Sequence, residues 1–234
     1  MKEIVLDGLW NAEARRLDDN PSMKKGDHFS IVIPGDVRRA LVNIGTIPDP
    51  DVGLNAAQSA WTEGAEWTLR RKFTLEGRKA IYYKGPAAMI NNTPVSGPSI
   101  ITAIARRGDN SIEIECGNDT PSGIRIYETD EAAIISLKAS SREREDGRWE
   151  VEASFSVLSA GERNAEATAD LHGQVVTEGI TLPDGVSDHK LTIIVEHPEL
   201  WHPNGYGYPH LYQLSLRIGG AKADCFVSLR KERK

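Results

Sequence analysis

From Trp149 to Val157 every second residue is apolar (Trp149, Val151, Ala153, Phe155, Val157), and every residue between them is Glu or Ser. A two-residue period is what a strand with one buried and one wet face requires, and no helix places those five side chains on one side. Ala165, Ala167, Ala169 and Leu171 repeat the pattern. Tyr212, Leu214, Leu216 and Ile218 repeat it again, against Gln213, Ser215 and Arg217. Residues 133–137, 191–195 and 225–229 add three more apolar runs rich in β-branched residues. Short strands at this density predict an immunoglobulin-like sandwich in the second half of the chain, although the Cys-Trp-Cys spacing of antibody domains is absent.

The first half follows the same logic with shorter strands. Residues 6–10 form a strand interrupted by the turn-prone Asp7-Gly8, and Phe29, Ile31 and Ile33 mark another. Pro34-Gly35 ends it. Asp36 is placed to cap a short helix whose apolar side is Val37, Leu41 and Ile44, and Gly45 to close it. Ile47-Pro48-Asp49-Pro50 is extended, because each proline forces its predecessor out of helical geometry. Residues 54–61 are the one other helical stretch. Trp67, Leu69, Phe73 and Leu75 then share a strand face with Arg71, and residues 80–83, 89–90, 100–104 and 112–116 make four short strands separated by Gly, Pro and Asn. An α/β fold would need helical patterns of about 10 to 15 residues between strands. The fold class expected is therefore all-β, with two β-sandwich domains.

Two motif blocks resemble a known family. Pro34-Gly35-Asp36-Val37, Ile47-Pro48-Asp49-Pro50 and Glu66-Trp67-Thr68-Leu69-Arg70-Arg71-Lys72-Phe73 are similar, in that order, to the first domain of family-two glycoside hydrolases of the β-mannosidase type. Pro198-Glu199-Leu200-Trp201, Pro203-Asn204-Gly205-Tyr206-Gly207 and Leu211-Tyr212 are similar to the signature of their immunoglobulin-like domain. The resemblance implies a galactose-binding-like jelly roll over residues 1–129 and an immunoglobulin-like sandwich over residues 130–234. The sequence departs from the family in three places. His202 stands where a second Trp is usual, and Arg125 follows Ser122-Gly123-Ile124 where the family has Trp. Cys116 to Pro121 also lacks the Gly-Trp-Asp-Trp-Gly block whose Asp reaches the sugar site.

In that family a (β/α)₈ barrel follows the second domain and holds the acid/base and the nucleophile. Retaining hydrolysis needs two carboxyl groups about 5 to 5.5 Å apart across the scissile bond. The family sets its acid/base in an Asn-Glu pair, and no Asn-Glu dipeptide occurs in these 234 residues. The expectation is a non-catalytic pair of domains linked to carbohydrate metabolism, either scaffolding a barrel or serving as a stand-alone glycan-binding module. A fragment of a complete retaining β-glycosidase is the enzyme alternative. Trp61 and Trp67 are the candidate sugar-binding residues, because aromatic faces hold sugar rings, with a β-mannoside or β-galactoside as the implied ligand. Both also suit a sandwich core. Trp201, His202, Pro203, Asn204 and Tyr206 form a candidate interface to a barrel, a neighbouring domain or a second copy.

Other classes are disfavoured. A formal net charge of −6 opposes binding to a nucleic-acid backbone. No stretch is long and apolar enough to span a bilayer, and the opening residues break off too soon for a signal peptide, which predicts a cytoplasmic protein. Cys116 and Cys225 sit in alternating apolar segments and are expected as buried free thiols. His197, His202 and His210 lie together in a proline-broken loop, too few and too irregular to predict a metal site. No glycine-rich phosphate loop or nucleophile elbow is present, so no cofactor is expected. Asn91-Asn92-Thr93 and Asn118-Asp119-Thr120 match the glycosylation acceptor pattern and are read as turns.

Overall fold

A computed structural model describes residues 1–17, 23–202 and 207–231, which divide into two compact units, Lys2–Glu128 and Thr129–Lys234. In the first, the chain runs through β1 (Lys2–Val5), β2 (Gly8–Arg16), β3 (His28–Ile33), α1 (Val37–Asn43), α2 (Asn55–Ser59), β4 (Glu66–Leu75), β5 (Ala80–Lys84), β6 (Ala88–Ile90), β7 (Thr93–Val95), β8 (Ser99–Ile100), β9 (Gly108–Cys116) and β10 (Arg125–Thr129). Six strands form one sheet in the order β3-β2-β4-β9-β6-β7, and four form another in the order β1-β10-β5-β8. Trp10, Ile31, Trp67, Leu69, Ile112 and Ile114 from the larger sheet share one buried cluster with Ile81, Tyr83 and Ile126 from the smaller. The first domain is thus a two-sheet sandwich, as the alternation predicts.

Arg71 explains how the chain crosses between the sheets. Sequence alternation puts it among apolar neighbours, and there it donates to the carbonyls of Leu6 (2.6 Å) and Asp7 (3.0 Å), at the break between β1 and β2. Trp10 Nε1 donates to the same Leu6 carbonyl (2.7 Å). These carbonyls belong to no ladder, and burying them without donors would be costly. The Asp7 carboxylate accepts the N–H of Gly123 and of Ile124 and pairs with Arg125 (3.2 Å). Partial burial pushes this carboxyl up, but the Ile124 N–H, Arg125 and the Gly123 N–H together outweigh that and hold it below the usual carboxylate range. A depressed folded pKa contributes stability that is present above the ordinary value and lost as pH falls through the folded one. As pH drops below about 4, the melting temperature of the chain is expected to fall more steeply than that of Asp7→Asn. Parallel pH profiles from thermal melts would exclude this role.

The short helix is built as its sequence requires. Asp36 Oδ1 accepts the N–H of Arg39 (3.0 Å), the Asx cap expected of this position. At the other end Gly45 has φ 76°, its N–H reaches Val42 O and the N–H of Thr46 reaches Leu41 O, the double bond of a Schellman turn. Val37 and Leu41 enter the core, whereas Ile44 is exposed. The strand predicted over residues 100–104 shortens to β8, because Ile101 turns inward and its carbonyl receives the N–H of Ala105.

The second unit contains β11 (Ala132–Glu143), β12 (Trp149–Ser159), β13 (Arg163–Leu171), β14 (Gln174–Leu182), β15 (Gly185–Val195), β16 (Tyr212–Ile218) and β17 (Ala221–Val227). The sheets are β11-β12-β15 and β14-β13-β16-β17. Trp149, Val151, Ala153, Phe155 and Val157 all enter one core with Ala167, Ala169, Leu171, Leu214 and Leu216, so this domain too is a sandwich. One strand, β14, escapes the sequence pattern. It hangs on β13 through the two-residue turn His172-Gly173, both with positive φ (53° and 92°), the primed geometry that matches strand twist. Only Leu182 among its residues is fully buried, so it has no apolar alternation to read. Cys116 and Cys225 are free and half-buried, and burial pushes the Cys116 thiol up to about 11. Among the described residues no helix is long and apolar enough to cross a membrane.

Candidate functional site

Trp61 sits on a single helical turn, Ala60–Thr62, that follows α2. The turn is held by a chain of local bonds: Thr62 Oγ1 donates to Ser59 O (2.7 Å) and Ser59 Oγ to Asn55 O (3.2 Å). Asn55 Nδ2 donates to Asp49 O (3.1 Å), and the Asp49 carboxylate accepts Arg39 from α1 (3.0 Å). The Asp51 N–H, then Arg39, keep that carboxyl below the usual range. The Trp61 ring is half-buried against the core, 6.5 Å from the Trp67 ring and tilted 58° to it.

Trp67 needs a correction. The sequence reading offered it beside Trp61 as a sugar-contacting face, but the ring is 0% exposed. Phe29 meets it edge to face at 5.5 Å and Trp61 covers another side. Its position on the apolar side of β4 drives it into the sandwich, so no face remains for a ligand. Trp10 and Tyr83 are buried for the same reason.

One residue links these parts and was read only as a turn former. Asn118 Oδ1 accepts the Trp67 Nε1–H (3.3 Å), its Nδ2 donates to Thr62 O (2.8 Å), and its carbonyl accepts the N–H of Val37 at the start of α1 (2.8 Å). Its amide nitrogen is therefore occupied. Asn91 is likewise engaged, donating to Ile104 O and Asn110 Oδ1. The turn reading of both asparagines holds. The only sequence signal for Asn118 was its place directly after Gly117, where a strand has ended.

In the second domain Trp201 bridges Pro209, and its N–H reaches Leu229 O (2.8 Å). Arg230 lies over the ring at 4.8 Å, a cation–π contact. His202 is exposed, with its N–H on Tyr208 O. Pro203, Asn204 and Tyr206, the rest of the candidate interface, lie outside the described residues. Tyr208 is 77% exposed and Leu211 51%. Glu199 clasps the base of this loop: its N–H donates to Tyr212 Oη (2.7 Å) and its carboxylate meets His210 Nδ1 (3.0 Å). The His210 ring also meets Tyr212 edge to face, and among the described residues no group of three His, Cys, Asp or Glu is arranged to hold a metal ion.

Comparison with known proteins places both halves. Residues 11–82 match the glycosyl hydrolase 2 galactose-binding domain-like family, and residues 124–228 match glycosyl hydrolases family 2. A stretch of 79 residues is 44% identical to beta-mannosidase B of Aspergillus flavus, covering 33% of this chain and 8% of that protein. The corresponding protein of Aspergillus oryzae is 43% identical over 79 residues, again 8% of its length. Among solved structures, the fold matches the beta-D-mannosidase of Dictyoglomus thermophilum with a TM-score of 0.73 at 18% identity, over 99% of this chain and 36% of that one. It also matches the exo-chitosanase CsxA of Amycolatopsis orientalis with a TM-score of 0.75 at 14% identity, over 98% of this chain and 34% of that one. The chain thus spans about a third of the length of these solved enzymes.

Proposed function

We propose, from a chain built of two glycosyl hydrolase family 2 domains, that it is the non-catalytic scaffold of a β-glycosidase acting on β-mannosides or related sugars. The observation that carries this reading is the order and extent of the match: both domains, over nearly the whole chain, within about a third of a β-mannosidase. The electrostatics agree with it. A general acid must hold its proton near neutral pH, which needs a raised carboxyl pKa. In this chain Asp7, Asp49, Glu76, Asp146, Glu152 and Asp224 are all displaced the other way. The Trp201 loop, with Tyr208 and Leu211 presented to solvent, is the surface proposed to receive a catalytic barrel.

The purified chain is expected to leave p-nitrophenyl β-D-mannoside and β-D-galactoside unhydrolysed while melting cooperatively. Turnover by the chain alone would sink the scaffold reading. A second reading, a glycan-binding module, rests on the half-buried Trp61 at the domain surface. Calorimetric titration with mannose, mannobiose and galactose separates the two. Saturable heat that disappears in Trp61→Ala means a binding module, and no heat with any of them leaves the scaffold.

A further inference from the structure

Many cations of this acidic chain are paired with carboxylates, among them Arg16 with Glu66, Arg39 with Asp49, Arg70 with Glu113, and Arg148 with Glu196. Among the described residues Lys72 and Arg106 make no ion pair, and both line one cavity of about 220 Å³ in the first domain, with Asn91, Asn92, Asp109, Asn110 and Ser111. The cavity has a rigid bed. Asn110 is 3% exposed, donates to the carbonyls of Arg106 (2.8 Å) and Gly108 (2.9 Å), and accepts the Arg106 N–H (3.0 Å) and Asn91 Nδ2 (2.8 Å). Asn91 completes the bed by accepting the Ser111 N–H (3.0 Å). The backbone of Arg106 is therefore pinned twice to the buried Asn110 amide, and Lys72 stands on β4 directly opposite Ser111 of β9. Asp109 is the one carboxylate lining the cavity among the described residues, and it accepts the Thr74 hydroxyl (3.1 Å).

We infer that this cavity is an oxyanion site, taking the carboxylate, sulfate or phosphate of a small ligand. A guanidinium offers two parallel N–H groups to such an anion and an ammonium adds a point charge, and a fixed bed lowers the ordering cost of bringing them together. The larger cavity of the second domain, about 340 Å³, differs in that the Asp188 carboxylate on its lining accepts the Ser156 hydroxyl (2.6 Å), and Lys190 on the same lining is drawn to Glu152 outside it (2.9 Å).

The test is a nuclear magnetic resonance titration of the whole chain with sodium sulfate, with D-glucuronate and with D-mannose, at constant ionic strength set by chloride. Saturable shifts of the Asn92, Arg106 and Ser111 amides are expected with both anions and none with mannose. Tighter binding of glucuronate would identify an acidic sugar as the source of the oxyanion, and equal or tighter sulfate an inorganic anion. Lys72→Met and Arg106→Met are each expected to weaken binding by about tenfold. Both side chains are exposed, so the variants should fold, which unchanged Asn91 and Asn110 side-chain resonances would verify. Absence of saturable shifts, equal shifts with mannose, or binding that survives in the double variant would overturn the site.

Discussion

Trp67→Ala is expected to destabilise the first domain by about 3–5 kcal/mol, the range for removing a fully buried aromatic ring. The ring is 0% exposed, makes the edge contact with Phe29, and fills the space under Trp61. Removing it leaves a cavity that the surrounding strands cannot close, because β4 is paired on both sides, to β2 and to β9. It also takes the indole donor from Asn118, and so loosens the link between Thr62 and the start of α1. Guanidinium unfolding followed by circular dichroism measures the loss, and Trp61→Ala is the comparison, a half-buried ring with a smaller expected cost. A Trp67→Ala protein within about 1 kcal/mol of the parent would mean that the ring does not fill the core. The transition of the second domain, whose own core is built on Trp149, Phe155 and Leu214, should stay where it is.

Glu128→Ala is the second large loss, expected at about 2–6 kcal/mol, from two backbone donors that lose their acceptor at about 1–3 kcal/mol each. Glu128 is 0% exposed, and its carboxylate accepts the N–H of Glu76 (3.1 Å) on one oxygen and of Gly77 (2.9 Å) on the other. Those amides sit in the turn after β4, where Gly77 has φ 76° and a Cβ would fall 2.7 Å from Arg107 Cβ. The turn is therefore packed against Arg107 so closely that only a glycine fits at position 77. Glu128→Gln keeps the shape but offers one acceptor oxygen in place of two, so its cost should fall between Ala and the parent. Urea unfolding of the three proteins gives the order. A glutamine variant as stable as the parent would show that the second oxygen carries nothing.

Neither Glu128 nor Asn118 could be found from local pattern. Glu128 reads as the wet end of a short strand, and its partners lie 51 and 52 positions away; Asn118 reads as a turn residue, and its partner Thr62 lies 56 away. Trp67 was half legible. Its side of the strand was known, but a Trp on an apolar face can cover a core or a sugar until the opposite sheet is in place. Arg71 was seen among apolar neighbours with no reason for being there, since the two carbonyls it serves belong to another strand junction. Trp201 was legible as a motif, yet the Arg230 guanidinium over it comes from beyond β17.

By itself the sequence determined the all-β class, the alternation that names the buried side chains of β13, of β16 and of β12 as far as Val157, and the capped helix between Asp36 and Gly45. These depend on side-chain period and backbone preference over a few neighbouring residues, which a linear chain displays directly. Tertiary structure alone decided that β14 joins the sheet of β13, that Trp67 is walled in, and that Arg71, Asn118 and Glu128 satisfy buried backbone groups. Hydrogen-bond satisfaction is accounted for across the whole fold, so the partner of a polar side chain is set by which strands meet and not by what stands beside it in the chain.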